Sequence, residues 1–469
     1  MLSRRTPPTP ATSMAVVDVG GQRMYRELVH LMLTDSLTVY VAVFSLEHEL
    51  TELLQNEDAS SGLTYGDDFD DWLLAIHAHA PSAPIVVVAT QIDKVPDLAE
   101  RDRRVDALWD SFNGAPYRRQ IRQIVRVCSK SEPPQGLDDV HAAVEARVAD
   151  SRGLKGYGEL VPLSWFKFRS IVGELAAQTP ARRRLTLVEA EHIAMQSCQF
   201  ATREEVHDML RRFNDLGLLL WRDSPHHSQS RELVVIDLQW MGEQIKELVC
   251  RRSIDRKARA FNSAEWDELQ RSGRLEGSML AQLWPGLTEQ ERGQVLEVME
   301  SFGLCFPVRL GESYIVPSLL PTGDLKSPQW VADSNVHTLR VCTAFSWAAG
   351  QRGYLPDALF YRLMTALSAA AHKDGAYDEL ACTRRAMEVK NLQHRFVLER
   401  CTSQSPGAGL HRSHYLRLSV YDEEEHGPKL SAVVASVRAH LEALCVQISA
   451  SSIDLRSSAS FMERRKAPR

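Results

Sequence analysis

From Met14 to about residue 150, short apolar runs alternate with segments whose apolar positions recur at helical spacing. The run "AVVDV" (15–19) predicts a strand, and a helix follows around Tyr25 to Leu33. "LTVYVAVFSL" (37–46) predicts a longer strand, and "DDFDDWLLAIHAHA" (67–80) a helix. "APIVVVAT" (83–90) is apolar throughout, the mark of a strand buried on both faces. "IVRVCSK" (124–130) predicts a fourth strand, and "GLDDVHAAVEARVADS" (136–151) a closing helix. This alternation predicts an α/β unit, a parallel sheet with crossover helices. The glycine-rich "RGLKGYGELVP" (152–162) reads as a linker.

From about Leu163 the pattern turns to helices with occasional hairpins. Thr186 and Glu189 have capping-box spacing, as do Thr202 and Glu205. The helix begun at the second box ends "LRRFNDLG" and is followed by "LLLW", the polar loop "RDSPHHSQSRE" and "LVVID". The order helix, strand, wing, strand recurs in "VLEVMESFG", "LCFPV", "RLGE" and "SYIVPSLL", with Gly217 and Gly303 at the same step. Two winged-helix-like units are expected. Beyond Pro321 a polar stretch (324–336) precedes a strand at "LRVCTAFSW", an amphipathic helix at "LPDALFYRLMTALSAAA", and sheet at "RAMEVKNLQHRFVLERC" and "HYLRLSVYD". A helix from about Lys429 to Ile448 and a disordered tail (451–469) complete the reading.

Composition adds bounds. A chain of 469 residues accommodates about two to four domains. The net charge of −6 favours neither nucleic acid nor an anionic membrane. No apolar run reaches the roughly 18 residues of a membrane span. The first ten residues hold Arg4 and Arg5 without an apolar core, which fits a disordered leader better than a secretory signal; lacking acids, they also fit a transit peptide. Eight scattered cysteines with no CxxC pair suit reduced thiols in a cytoplasmic protein.

Winged helices raise the question of DNA. The candidate reading helix sets Glu204, Glu205, Asp208 and Asp215 against Arg203, Arg211, Arg212 and His207, which is no basic excess. An interaction module is the better reading. The pairs His77/His79 and His411/His414 lack convergent carboxylates or thiols, so exposed histidines are expected rather than metal ligands. Arg182, Arg183 and Arg184 fit a solvated turn before a capped helix, and also a docking patch for an acidic partner. Trp165 and Trp240 are expected in a core.

Three strings sit at successive strand ends, where open α/β sheets bind ligands. In Asp18-Val19-Gly20-Gly21-Gln22 the carboxylate suits a water on Mg²⁺, a glycine lets the backbone approach a γ-phosphate, and Gln22 can orient water. In Thr90-Gln91-Ile92-Asp93 the carboxylate can accept both amine hydrogens of a guanine edge, although Asp93 also fits a simple turn cap. Gln91 is shorter than the usual lysine and uncharged, so it stacks on a base less well. Cys128-Ser129-Lys130 could present a backbone N–H to the guanine carbonyl, and also fits a plain strand exit.

Together these strings resemble a Roc–COR tandem of the Roco family, the group of the leucine-rich-repeat kinases. The resemblance lies in "DVGGQRMYRELVHLMLTDSLTVYVAVFSL", "WLLAIHAHAPSAPIVVVATQID" and "SKSEPPQGLDDV". It continues in "VPLSWFKFRSIVGEL", "FNDLGLLLW", "LVVIDLQWMGEQIKELV" and "SYIVPSLLP". It implies a partial Ras-like parallel sheet followed by an α+β COR region with winged-helix-like units. The expected division is a leader at 1–13, a partial Roc domain at 14–150, a linker at 151–160, a COR-A-like part at 161–325, a COR-B-like part at 326–450 and a tail at 451–469. By resemblance Gln22 takes the catalytic position and Asp18 holds Mg²⁺ through water. Gly21, Thr90, Gln91, Asp93, Ser129 and Lys130 would bind GTP or GDP, with Cys128 where the family commonly has serine. Protein partners are implied, including a homodimer through COR, but no nucleic acid.

The departures are in the phosphate cradle. No glycine among the 25 is followed by lysine, so no G-x-x-x-x-G-K-[ST] loop is present, and "AVVDV" is expected to expose a strand edge. Neither HRD nor DFG occurs, nor a leucine-rich repeat. Two readings follow: a signalling scaffold of GTPase ancestry with impaired nucleotide binding, or a fragment, from a reading frame truncated at its 5′ side, of a GTP-hydrolysing Roco protein that could include a kinase.

Overall fold

A computed structural model of the protein describes residues 16–18, 33–55, 63–150, 154, 160–178, 182–221, 232–249, 262–301, 304–309, 313–320, 337–344, 377–383, 385–391, 395–404 and 412–422, with isolated helical residues at 360, 361, 363, 364, 367, 435 and 439. The expected helix around Tyr25 to Leu33 falls almost wholly outside them, as do Gly21, Gln22, the leader, the tail and most of the first wing loop.

The first part is a three-stranded parallel sheet, β1 (Tyr40–Ser45), β2 (Ile85–Thr90) and β3 (Ile121–Arg126), in the order β1-β2-β3. Register runs from Tyr40 opposite Ile85 to Ser45 opposite Thr90. Helix α1 (Tyr65–His79) begins at a capping box in which Thr64 and Asp67 satisfy each other's backbone. Helix α2 (Leu98–Ser111) is capped by Asp97, whose carboxylate accepts from Ala99 N at 3.0 Å. α1 and α2 cover one sheet face, where Ala42, Phe44, Ile85, Val87, Ala89 and Ile121 pack with Leu73 and Leu108. Helix α3 (Leu137–Ala149) covers Val86, Val88, Val125 and Val127 on the other face through Ala143. Burial on both faces explains why "PIVVVA" carries no alternation.

The expected strand at "AVVDV" is not formed in its described part. Val16–Asp18 have no regular structure, and Val16 and Val17 are 93% and 66% exposed. A strand needs a neighbour for its backbone groups, and no described strand pairs with these residues. The other strands are also shifted: the second spans 40–45 within the expected 37–46, and the fourth ends at Arg126, before Cys128.

The second part contains two copies of one unit. In the first, α4 (Leu163–Ala177) precedes β4 (Arg184–Thr186), α5 (Leu187–His192), a π-helical turn (Ile193–Ser197), α6 (Arg203–Asp215), β5 (Leu220–Trp221) and β6 (Leu233–Val235). The second repeats the order with α8 (Ser263–Ser272), β7 (Arg274–Glu276), α9 (Gly277–Leu283), α10 (Glu289–Ser301), β8 (Phe306–Arg309) and β9 (Ser313–Ile315). Their antiparallel sheets have matching orders, β4-β6-β5 and β7-β9-β8. Helix α7 (Leu238–Val249) joins them, and one core runs from Leu220 and Val235 through Trp240 and Ile245 to Trp284, Met299 and Leu319.

The third part is a five-stranded antiparallel sheet, ordered β10 (His337–Ala344), β14 (Arg412–Asp422), β13 (Arg395–Gln404), β12 (Ala386–Asn391) and β11 (Tyr377–Cys382). β11 was not expected from the sequence. The described residues of the amphipathic segment, Phe360, Tyr361, Leu363, Met364 and Leu367, are helical and buried. Ala435 and Ala439, in the expected last helix, are helical and exposed. No helix among the described residues is long and apolar enough to cross a membrane.

Candidate functional site: the carboxyl edge of the parallel sheet

The parallel sheet delivers three loops to one edge. Leu46 N donates to Thr90 O at 3.0 Å, and Val127 N to Ala89 O at 2.8 Å, so the three strands stay paired to their ends. Thr90 Oγ1 donates to Phe44 O of β1 at 3.3 Å. Gln91 then takes the left-handed conformation at φ 55°, uncommon for a residue with a side chain, and turns the chain into a short 3-10 helix at Ile92–Lys94. Its amide oxygen accepts from Ser45 Oγ at 2.7 Å.

The turn brings Asp93 beside the β3 exit. Cys128 Sγ lies 3.6 Å from Asp93 Oδ1, with the thiol as donor. Cys128 is buried, while Asp93, Ser129 and Lys130 are exposed. The Cys128 loop is closed by reciprocal backbone bonds with Gln135, each 3.0 Å, and Ser131 Oγ donates to Cys128 O at 3.0 Å. Gly136, at φ 79°, ends the loop with its Cα against the Arg126 carbonyl.

The structure therefore brings together Thr90, Gln91, Asp93, Ser129 and Lys130. A carboxylate that spends one oxygen on a thiol keeps lone pairs for two amine hydrogens of a purine edge. Asp18 is exposed and outside the regular elements. No group of three or more His, Cys, Asp or Glu side chains converges among the described residues. Two residues escaped the sequence reading. Ser45 is the polar end of an apolar strand, and its position at a strand's carboxyl end was the available signal. Gln135 closes the loop through its backbone, which no side-chain pattern shows.

The other candidates resolve simply. His77 and His79 are half-buried rather than exposed: Nδ1 of His77 faces Gln120 Oε1 at 2.5 Å, and Nδ1 of His79 faces Ala75 O at 3.0 Å. Burial pushes His77 below its ordinary value. The three arginines are paired within the chain, Arg182 with Glu189, Arg183 with Asp237 at 3.5 Å, and Arg184 with Glu291. The Arg184 pair joins the two winged units. Glu191 of α5 pairs with Arg203 at 3.3 Å and His207 at 2.9 Å, both on α6. Trp240 is buried in the shared core, and Trp165 stands edge-on to Phe213 with ring centroids 5.9 Å apart.

The duplicated unit has known counterparts. A family model described as the C-terminal of Roc, COR-A domain, matches residues 162–320. Leucine-rich repeat serine/threonine-protein kinase 1 of Mus musculus is 24% identical over 336 residues, 66% of this chain and 15% of that protein. The probable serine/threonine-protein kinase roco5 of Dictyostelium discoideum is 21% identical over 306 residues, 64% of this chain and 9% of that protein. These matches support a relationship of the chain to the Roco family. This chain spans less than a sixth of the length of these relatives. It also matches a structure of Methanosarcina barkeri Roco2 RocCORdC bound to GDP, at 16% identity and a TM-score of 0.41, over 63% of this chain and 76% of that one.

Proposed function

We propose that this chain is a Roc–COR signalling scaffold of GTP-binding ancestry, whose sheet keeps the guanine-reading edge while its capacity to hold a nucleotide is impaired. The proposed division is a partial Roc domain at 14–150 and COR-A-like and COR-B-like parts at 161–325 and 326–450. The observation that carries the reading is the convergence of Asp93 and the Cys128 loop at the sheet edge, followed directly by the COR-A match. Asp93 would read the base, Thr90 would support the loop, and Ser129 and Lys130 would line it. Gln91 would border the pocket. Asp18, Gly21 and Gln22 would keep their family chemistry only beside a phosphate cradle. The loop that supplies most backbone N–H groups and the lysine to phosphates is absent from these 469 residues. The duplicated winged units, joined through helix α7 and the core around it, would suit protein partners and a homodimer in the cytoplasm.

Multiple-turnover assay of the purified chain with radiolabelled GTP and Mg²⁺ tests the enzymatic side. The expected outcome is no release of phosphate above the buffer rate; turnover that Gln22→Leu abolishes would overturn the proposal. A second reading is favoured by the lengths of the relatives, which are several times that of this chain: the chain is part of a longer GTP-hydrolysing protein that could include a kinase. Genomic sequence upstream of Met1 with an in-frame G-x-x-x-x-G-K-[ST] would decide for it.

A further inference from the structure

We propose that Ser45 and Gln91 form a latch that sets how tightly the Asp93 edge holds a guanine base. The inference rests on the base-reading role of Asp93 given above and concerns residues which that role leaves unused.

The geometry is specific. Ser45 is the last residue of β1, held opposite Thr90 by the parallel register. Its hydroxyl donates to Gln91 Oε1 at 2.7 Å and accepts from Glu47 N at 3.2 Å, so both functions of the oxygen are engaged. Gln91 follows Thr90 directly, and its left-handed backbone fixes where the side chain starts. The amide is thus committed to the end of β1. On the other side, Asp93 Oδ1 is engaged by the Cys128 thiol from the β3 exit. The carboxylate that would read the base is anchored, while the side chain best placed to cover the base is tied to the neighbouring strand. A base read along its edge at Asp93 gains cover from Gln91 only when the Ser45–Gln91 bond breaks.

The consequence is a pocket whose affinity is held down by one side-chain hydrogen bond. Removing the Ser45 hydroxyl frees Gln91 to lie along the base. A typical net hydrogen-bond contribution corresponds to roughly two- to tenfold in affinity. Lysine at position 91 has no acceptor for Ser45 and a longer apolar stem, which raises the gain to roughly tenfold or more.

Guanosine is the probe, because it carries the base edge without phosphates and so isolates this pocket from any cradle. The full chain and its variants Ser45→Ala, Gln91→Lys and Asp93→Asn are titrated with guanosine, and with adenosine as control, by ligand-observed NMR. The latch requires both Ser45→Ala and Gln91→Lys to tighten guanosine binding while adenosine binding stays unchanged, and Asp93→Asn to weaken guanosine binding. Unchanged or weaker guanosine binding in both Ser45→Ala and Gln91→Lys, with Asp93→Asn still weakening it, overturns the latch and leaves the base-reading role standing. Asp93→Asn without effect on guanosine overturns both.

Discussion

At the scale of single residues, the loop that faces the candidate site depends on a glycine the sequence did not explain. A Cβ on Gly136 would sit 2.0 Å from the Arg126 carbonyl oxygen and 3.0 Å from its carbon, and the residue stands at φ 79°. Both the backbone conformation and the approach of β3 therefore exclude a side chain. Gly136→Ala is expected to destabilise the parallel-sheet part by at least about 2 kcal/mol. Faster hydrogen exchange at Val127 and Cys128 would report it, and unchanged protection there would refute this role. The sequence placed a helix after this glycine but not the close approach that demands it, because proximity across the chain leaves no local pattern. Gln91 is similar: its place in the Thr90–Asp93 string was legible, but its left-handed backbone and its bond to Ser45 were not.

At the scale of elements, the repeat of winged units was partly legible. Helices and wing strands announced themselves by period and by capping spacing, and Thr186 and Glu189 form the expected reciprocal box. The Thr202 box is formed only by half. Glu205 N donates to Thr202 Oγ1, but the Glu205 carboxylate turns to Ala201 N at 3.0 Å. The first strand of each sheet, β4 and β7, was missed. A three-residue strand has too few positions to show alternation, although "RLT" and "RLE" occur at equivalent places with Leu185 and Leu275 wholly buried. The units are joined at Arg184 and Glu291, with the guanidinium also 5.8 Å from the Trp240 ring. The backbone N–H of Thr288 first, then Arg184, holds the Glu291 carboxyl below its ordinary value of 4.5, and Glu189 is lowered likewise by Thr186. A carboxyl lowered on folding stabilises the native state above its unfolded value, and that contribution is lost as pH falls through the folded value. Glu291→Gln is therefore expected to cost about 1 kcal/mol at pH 7, a modest figure because the pair is partly exposed. The difference from the parent chain should shrink as pH falls below 4.5 and through the folded value of Glu291. Melting curves at pH 7 and along an acid series check this, and a penalty that does not shrink in acid would contradict the assigned pair.

At the scale of the whole molecule, a short parallel sheet, a pair of fused winged units and a five-stranded antiparallel sheet follow one another along the chain. The α/β first part followed by an α+β region was legible from the change in hydrophobic period near Leu163, and the fused units carry the COR-A match. In the last sheet β10 was legible at "LRVCTAFSW", whereas the edge strand β11, paired with β12 among the described residues, carries little alternation and was not. As proposed, the guanine-reading edge persists without the means to hold a nucleotide's phosphates. Titration of the purified 469-residue chain with a fluorescent GDP analogue, with and without Mg²⁺, tests this. The expected outcome is no saturable, Mg²⁺-dependent binding in the micromolar range; micromolar binding that requires Mg²⁺ would contradict the proposal.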